Sequence, residues 1–143
     1  MALIELENLY KTYHLGALDV PVLKGVTLTI ERSEMVALMG ASGSGKSTLM
    51  NILGCLDRPS SGHYGLDGEA IESLSADQRA LVRNRKIGFC FQTFNLLPRT
   101  SALENVMMPL SYTAEELSER EWRRRAERST FRRSACVAIR RVR

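Results

Sequence analysis

Residues 40–48 read Gly-Ala-Ser-Gly-Ser-Gly-Lys-Ser-Thr and fill the pattern G-x-x-x-x-G-K-[ST] from Gly40 to Ser47. The chemistry this spacing suits is the holding of a polyphosphate. A triphosphate packs several negative charges into a small volume, so a chain that holds one needs converging backbone N–H donors, a cation and a hydroxyl for Mg²⁺. Gly40, Gly43 and Gly45 let the backbone curl with its amides inward, in conformations that side chains forbid. Ser42 and Ser44 complete the loop. Lys46 is spaced to reach the β- and γ-phosphates, Ser47 to ligate Mg²⁺, and Thr48 to touch the α-phosphate.

Such a loop has to be carried by flanking elements. Glu34–Met39 is a short apolar run of strand type, and Ser47–Leu53 has helical spacing closed by Gly54, so the pattern reads strand, loop, helix. The helix N-terminus would add its dipole to the anion site. Upstream, Leu3–Leu9 alternates at period two and Val22–Ile30 is rich in β-branched residues, which predicts two strands separated by a loop at His14–Pro21. Downstream, Arg58–Gly62 is a turn cluster and Gly65–Gly68 reads as a tight hairpin. Ser75 with Gln78, Ser101 with Glu104 and Thr113 with Glu116 have capping-box spacing, predicting helices over 76–86, 102–109 and 114–128. Lys86–Phe91 reads as a buried strand between the first two. The mixture is α/β with an antiparallel portion at the N-terminus.

With 44% hydrophobic residues in a chain of 143, a real core is available. No apolar run reaches the length of a membrane span and the N-terminus lacks a basic-then-apolar layout, so the chain reads as cytosolic. Cys55, Cys90 and Cys136 are odd in number with no C-x-x-C pair, which argues against a disulfide framework or a zinc site and for buried or free thiols. The net charge of +4 is unevenly spread: residues 1–119 hold 10 Lys/Arg against 14 Asp/Glu, and residues 120–143 hold 10 Arg against 2 Glu. A basic arm of this kind can bind nucleic acid or an anionic membrane surface. It has no regular pattern, a single Trp122 and no aromatic interleaving, so nucleic acid is the weaker reading.

Several further segments carry a family resemblance: Leu9–Tyr13, Val22–Val26, Val36–Thr48, Gly54–Gly62, Arg83–Gln92, and Phe94–Pro98 with Ala102–Val106. On these, residues 1–128 resemble the N-terminal half of the ATP-binding subunit of an ABC transporter, in the branch of macrolide exporters and lipoprotein-releasing complexes. The resemblance implies an incomplete P-loop NTPase fold with an antiparallel β subdomain. It divides the chain into a core part at 1–110, the start of a helical subdomain at 111–128 and an atypical tail at 129–143. It implies ATP and Mg²⁺ as ligands, transmembrane permease subunits and a second, head-to-tail ATP-binding subunit as partners, and a position on the inner face of the cell membrane.

Tyr13 matches the aromatic that stacks on adenine in that family, a role a flat electron-rich ring suits. Gln92 matches the coupling loop whose amide meets Mg²⁺ or the attacking water, so Lys46 and Gln92 are the implied catalytic residues. Ser33 stands where the family usually has Gly, which makes a strained turn there, and Ala41 stands where Pro is common. Asp57 follows an apolar run but ends the phosphate-loop helix, so it is set aside as a Mg²⁺-holding Asp. His14 and His63 fall in predicted loops and read as solvated. Phe89, Phe91 and Phe94 read as core or coupling surface.

The sequence contains no Leu-Ser-Gly-Gly-Gln signature, no apolar strand ending in Asp-Glu and no downstream switch His. Without a base and a donor for developing charge, positioning alone gives little phosphoryl transfer. The chain is therefore expected to hold Mg-ATP without hydrolysing it, or to be a non-functional fragment. Residues 129–143, Arg-rich without helical period, read as an out-of-frame product of a GC-rich gene. The phosphate-loop strand is expected to show open edges.

Overall fold

The computed structural model describes residues 2–90, 96–108 and 120–121, in two compact units that divide between Arg85 and Lys86. The first unit is built on a four-stranded antiparallel sheet. Its strands are β1 (Ala2–Leu15), β2 (Leu18–Glu31), β3 (Ser61–Leu66) and β4 (Glu69–Ala70), in the order β2-β1-β3-β4. It also holds helix α1 (Lys46–Leu53) and helix α2 (Ala76–Lys86), whose last residue opens the second unit. The second unit holds helix α3 (Ala102–Met107), and Arg120 and Glu121 are helical.

β1 owes its length to cross-strand pairing. The predicted loop at His14–Pro21 is instead the end of a long hairpin: Tyr13 pairs with Val20, Thr12 with Pro21 and Leu15 with Leu18 across a turn at Gly16–Ala17. Pro21 has no N–H to give to a ladder. β2 stands at the edge of the described sheet, where a missing donor is tolerated.

A bulge decides which side chains of β1 face inward. Ile4 and Leu6 are buried, the register slips between Leu6 and Leu9, and Leu9 and Lys11 are then the buried ones. Asn8 takes up the extra residue at φ 47°, its N–H donating to Thr27 Oγ1 at 3.1 Å. Gly62 of β3 crosses this bulge so closely that a Cβ there would lie 2.1 Å from the Asn8 carbonyl oxygen. The hairpin read at Gly65–Gly68 is present. Asp67 and Gly68 take φ 54° and 79°, the pair of left-handed residues that a two-residue type I′ turn requires. The Arg32 guanidinium pairs with the Asp67 carboxylate.

The core brings Ile4, Leu6 and Leu9 of β1, Leu23 of β2 and Tyr64 and Leu66 of β3 together with Leu49, Ile52 and Leu53 of α1. The buried Tyr64 hydroxyl donates to the Leu53 carbonyl at 2.7 Å, tying β3 to the end of α1. Burial raises the pKa of both the Tyr64 phenol and the neighbouring Cys55 thiol. Cys55 is thus an unreactive core residue, and Cys90 is a half-buried free thiol. Cys136 lies outside the described residues.

Both capping boxes within the described residues form. Ser75 and Gln78 exchange bonds of 2.8 and 3.2 Å at the start of α2, and Ser101 and Glu104 exchange bonds of 2.6 and 3.2 Å at α3. α3 runs over Ala102–Met107, and residue 109, where the predicted helix ends, lies outside the described residues. The box at Thr113 and Glu116 lies outside the described residues.

Two predicted strands are absent. Residues 34–39 are irregular, with Met35 96% and Met39 90% exposed, and no described strand pairs with them. Apolar β-prone composition becomes a strand only when a neighbouring ladder takes up its N–H and C=O groups. Residues 87–90 are irregular too, and Phe91 lies outside the described residues. His14 and His63 are not in loops either: they sit on β1 and β3.

Candidate functional site

The phosphate-loop pattern folds on the end of β2. After β2 the chain turns at Arg32 and Ser33, and Ser33 takes φ 66°, a left-handed conformation that strains a residue with a Cβ. The chain then runs through residues 34–39 into the loop. Gly45 is the N-cap of α1 at φ 88° and carries no side-chain cap. A Cβ at Gly45 would meet Leu23 Cδ2 at 2.9 Å and Val22 Cγ1 at 3.1 Å, so the start of α1 is seated directly against β2. Both its conformation and its packing demand glycine.

The helical ladder opens with the Leu49 N–H on the Gly45 carbonyl at 2.9 Å. The N–H groups of Lys46, Ser47 and Thr48 precede that first bond, and a helix leaves such groups to outside acceptors. The Ser44 N–H closes the loop on the Ala41 carbonyl at 3.3 Å. Across its mouth the Lys46 ammonium donates to the Gly40 carbonyl at 2.8 Å, the Ala41 carbonyl at 2.6 Å and Ser44 Oγ at 3.4 Å. Ser42 lies in the exposed turn of the loop, Ser47 is exposed on the first turn of α1, and Thr48 is half-buried beside it. Gly43 stands open at φ 80°. Glycine backbone, unbonded helix N–H groups, a cation and a hydroxyl therefore occur together, and this donor set fits a chain of phosphates with its Mg²⁺.

Tyr13 sits half-buried on β1. Its hydroxyl donates to Asp57 Oδ2 at 2.9 Å. The other oxygen, Oδ1, accepts from the Lys11 ammonium at 2.7 Å and from the Arg58 N–H at 2.7 Å. Lys11 also donates to the Arg58 carbonyl at 2.7 Å and lies 4.8 Å from the centroid of the Tyr13 ring. Burial works to raise the Asp57 pKa, but the bonds from Lys11, the Arg58 N–H and Tyr13 outweigh it and hold the carboxyl below its ordinary value. Ser60 completes the join: its N–H donates to the Tyr10 carbonyl at 2.8 Å and its Oγ accepts from the Thr12 N–H at 2.9 Å.

The hairpin brings this cluster near the loop. Lys11 pairs with Leu23, the residue against which Gly45 is packed, and Tyr13 pairs with Val20 three residues earlier on the same strand. Lys11 and Asp57 were not read as functional from the sequence. A Lys in an alternating strand looks solvated, and only the bulge turns Lys11 inward, to 9% exposure. Gln92 lies outside the described residues. Among the described residues no group of three or more His, Cys, Asp or Glu side chains is arranged to hold a metal, and no helix is long and apolar enough to cross a membrane.

A model of the ABC transporter family matches residues 23–140, a span that runs into the basic tail. The chain is 64% identical over 126 residues to a macrolide export ATP-binding/permease protein, MacB, of Syntrophobacter fumaroxidans, covering 88% of this chain and 18% of that protein. It is 50% identical over 127 residues to the uncharacterized ABC transporter ATP-binding protein YknY of Bacillus subtilis, covering 89% of this chain and 54% of the relative. Among solved structures, the dimeric ATP-binding cassette MJ0796 in a post-hydrolysis state bound to ADP and Pi superposes with a TM-score of 0.80 at 44% identity, covering 87% of this chain and 54% of that one. The chain thus spans about half of a stand-alone relative and less than a fifth of a fused one.

Proposed function

The chain belongs to the ABC transporter family, and we propose from that premise that residues 40–48 bind the phosphates of Mg-ATP for an export transporter of the macrolide-exporter kind. The observation that carries the proposal is the Lys46 ammonium, held at the mouth of the loop by the Gly40 and Ala41 carbonyls at 2.8 and 2.6 Å, ahead of the unbonded N–H groups of α1. On binding, Lys46 exchanges those carbonyls for β- and γ-phosphate oxygens. The first N–H groups of α1 and the Thr48 hydroxyl would take the remaining oxygens, and the Ser47 hydroxyl would hold Mg²⁺. Tyr13 would stack on the adenine, and Gln92, by the family resemblance, would meet Mg²⁺ or the attacking water. The neighbour of known structure was captured as a dimer with ADP and Pi, which supports a pair of cassettes as the working unit, head to tail as the family resemblance implies. The relatives named as export permeases support coupling to transmembrane subunits at the cytoplasmic face.

Bound Mg²⁺ would offset phosphate charge, while the chain's own residues bind and orient the nucleotide. The 143 residues by themselves act as a binder, because none of the residues given a role here is a general base that could take the proton of the attacking water. Phosphate release from Mg-ATP by the purified chain, with Lys46→Ala as control, tests this reading. Neither protein should release phosphate above the uncatalysed rate. Turnover that disappears in Lys46→Ala would overturn the binder reading.

A further inference from the structure

Tyr13, as a base platform, needs a fixed ring plane, and the structure supplies one from a distant part of the chain. Asp57 lies 44 residues from Tyr13 and 46 from Lys11, yet its two oxygens hold both: Oδ2 the Tyr13 hydroxyl at 2.9 Å, Oδ1 the Lys11 ammonium at 2.7 Å. A Tyr anchored at its hydroxyl and at its Cα has little freedom to swing. The Lys11 ammonium lies over the ring at 4.8 Å from the centroid, within cation–π reach, so it occupies one face of the ring. The anchor itself is rigid. Lys11 is buried and bonded also to the Arg58 carbonyl, Asp57 accepts the Arg58 N–H, and Ser60 clamps the same loop to β1 through Tyr10 and Thr12.

We propose that Asp57 and Lys11 are positioning residues for nucleotide binding: they fix the Tyr13 ring and cover one face, so that a purine stacks on the other. The inference rests on the reading of Tyr13 as the base platform. It also gives α1 a second task. The helix that begins at the phosphates ends at the loop that aims the base platform, so both ends of the ligand are aligned by one element.

The test compares Mg-ATP with Mg-tripolyphosphate, which has the charges and no base, on the full 143-residue chain. Asp57→Ala and Tyr13→Phe should each weaken Mg-ATP about 3–10-fold, the scale of a lost aromatic contact, while Mg-tripolyphosphate stays within about twofold. In the double variant the two losses should not add in full, since both break the bond between the Tyr13 hydroxyl and Asp57. Tyr13→Phe deletes a single hydroxyl and keeps the ring, so it serves if Asp57→Ala does not fold. Equal weakening of both ligands by Asp57→Ala, or full additivity with Tyr13→Phe, would show a general structural role and overturn the proposal. Tyr13→Ala separates the two readings. If it weakens Mg-ATP and neither Asp57→Ala nor Tyr13→Phe does, the positioning role fails alone; if Tyr13→Ala changes nothing, the platform reading fails with it.

Discussion

Residues 3–9 of β1 and residues 34–39 ahead of the phosphate loop are both short, apolar-rich runs of strand composition, and they end differently. β1 has β2 on one side and β3 on the other, so its backbone is paired and Ile4, Leu6 and Leu9 are buried. Residues 34–39 have no partner among the described strands, and Met35 and Met39 are almost fully exposed. The loop that follows the unpaired run nevertheless keeps its shape. Gly43 and Gly45 hold left-handed φ, Lys46 caps the Gly40 and Ala41 carbonyls, and α1 starts on schedule. A phosphate loop is written in local backbone chemistry and one seat against β2, whereas a strand is a property of its neighbours.

The sharpest way to break this contrast is at the paired strand. Gly62→Ala sets a Cβ against the Asn8 carbonyl at the β1 bulge, and backbone must move to admit it. The expected cost is about 3 kcal/mol in urea unfolding. A loss below about 0.5 kcal/mol would mean that β1 and β3 do not pack so closely. The seat of the loop comes next: Gly45→Ala forces a left-handed alanine onto Leu23 and Val22, at about 1–2 kcal/mol. An unchanged midpoint there would mean the loop is not docked on β2.

Smaller and of opposite sign, Ser33→Gly relieves the φ 66° turn before the exposed run and should raise stability by about 1 kcal/mol. Destabilisation would instead implicate the Ser33 side chain.

The smallest effect belongs to the surface pair His63 and Glu72 on the paired side, at 2.8 Å. The bond to Glu72 raises the His63 pKa above the ordinary 6.5. Burial pushes Glu72 upward, yet the His63 bond and backbone donors bring it below 4.5. The stabilisation from His63 is full below pH 6.5 and fades as pH rises through its raised value. That from Glu72 is full above pH 4.5 and fades as pH falls through its lowered value. The pair should therefore add most between pH 4.5 and 6.5, by less than about 1 kcal/mol at this exposure. His63→Gln should lower the stability–pH curve between pH 4.5 and 6.5 and flatten its flanks on either side, and an unaltered curve would show the pair to be idle.

These elements also mark what could be read before any coordinates. The loop, the capping boxes at Ser75 and Ser101 and the Asp67–Gly68 turn make their own bonds between residues no more than six positions apart, and each stood in the sequence. The strained turn at Ser33 was visible as a departure from the resembling family. The Lys11–Asp57–Tyr13 cluster was not, because it joins residues more than 40 apart and depends on a one-residue bulge that no periodicity announces. The long hairpin was missed because Pro21 and Gly16 look like loop residues until the edge position of β2 is known. Residues 34–39 were read as a strand from composition, which cannot supply a partner.

The central claim is that a locally encoded phosphate loop works as a binding site in this chain. Calorimetric titration of Mg-ATP into the 143-residue protein and into Lys46→Ala tests it most directly. The account predicts saturable binding at one site per chain, weakened at least about tenfold in Lys46→Ala with the far-ultraviolet spectrum unchanged. Equal binding by the two proteins, or none by either while the wild-type chain is folded, would contradict it.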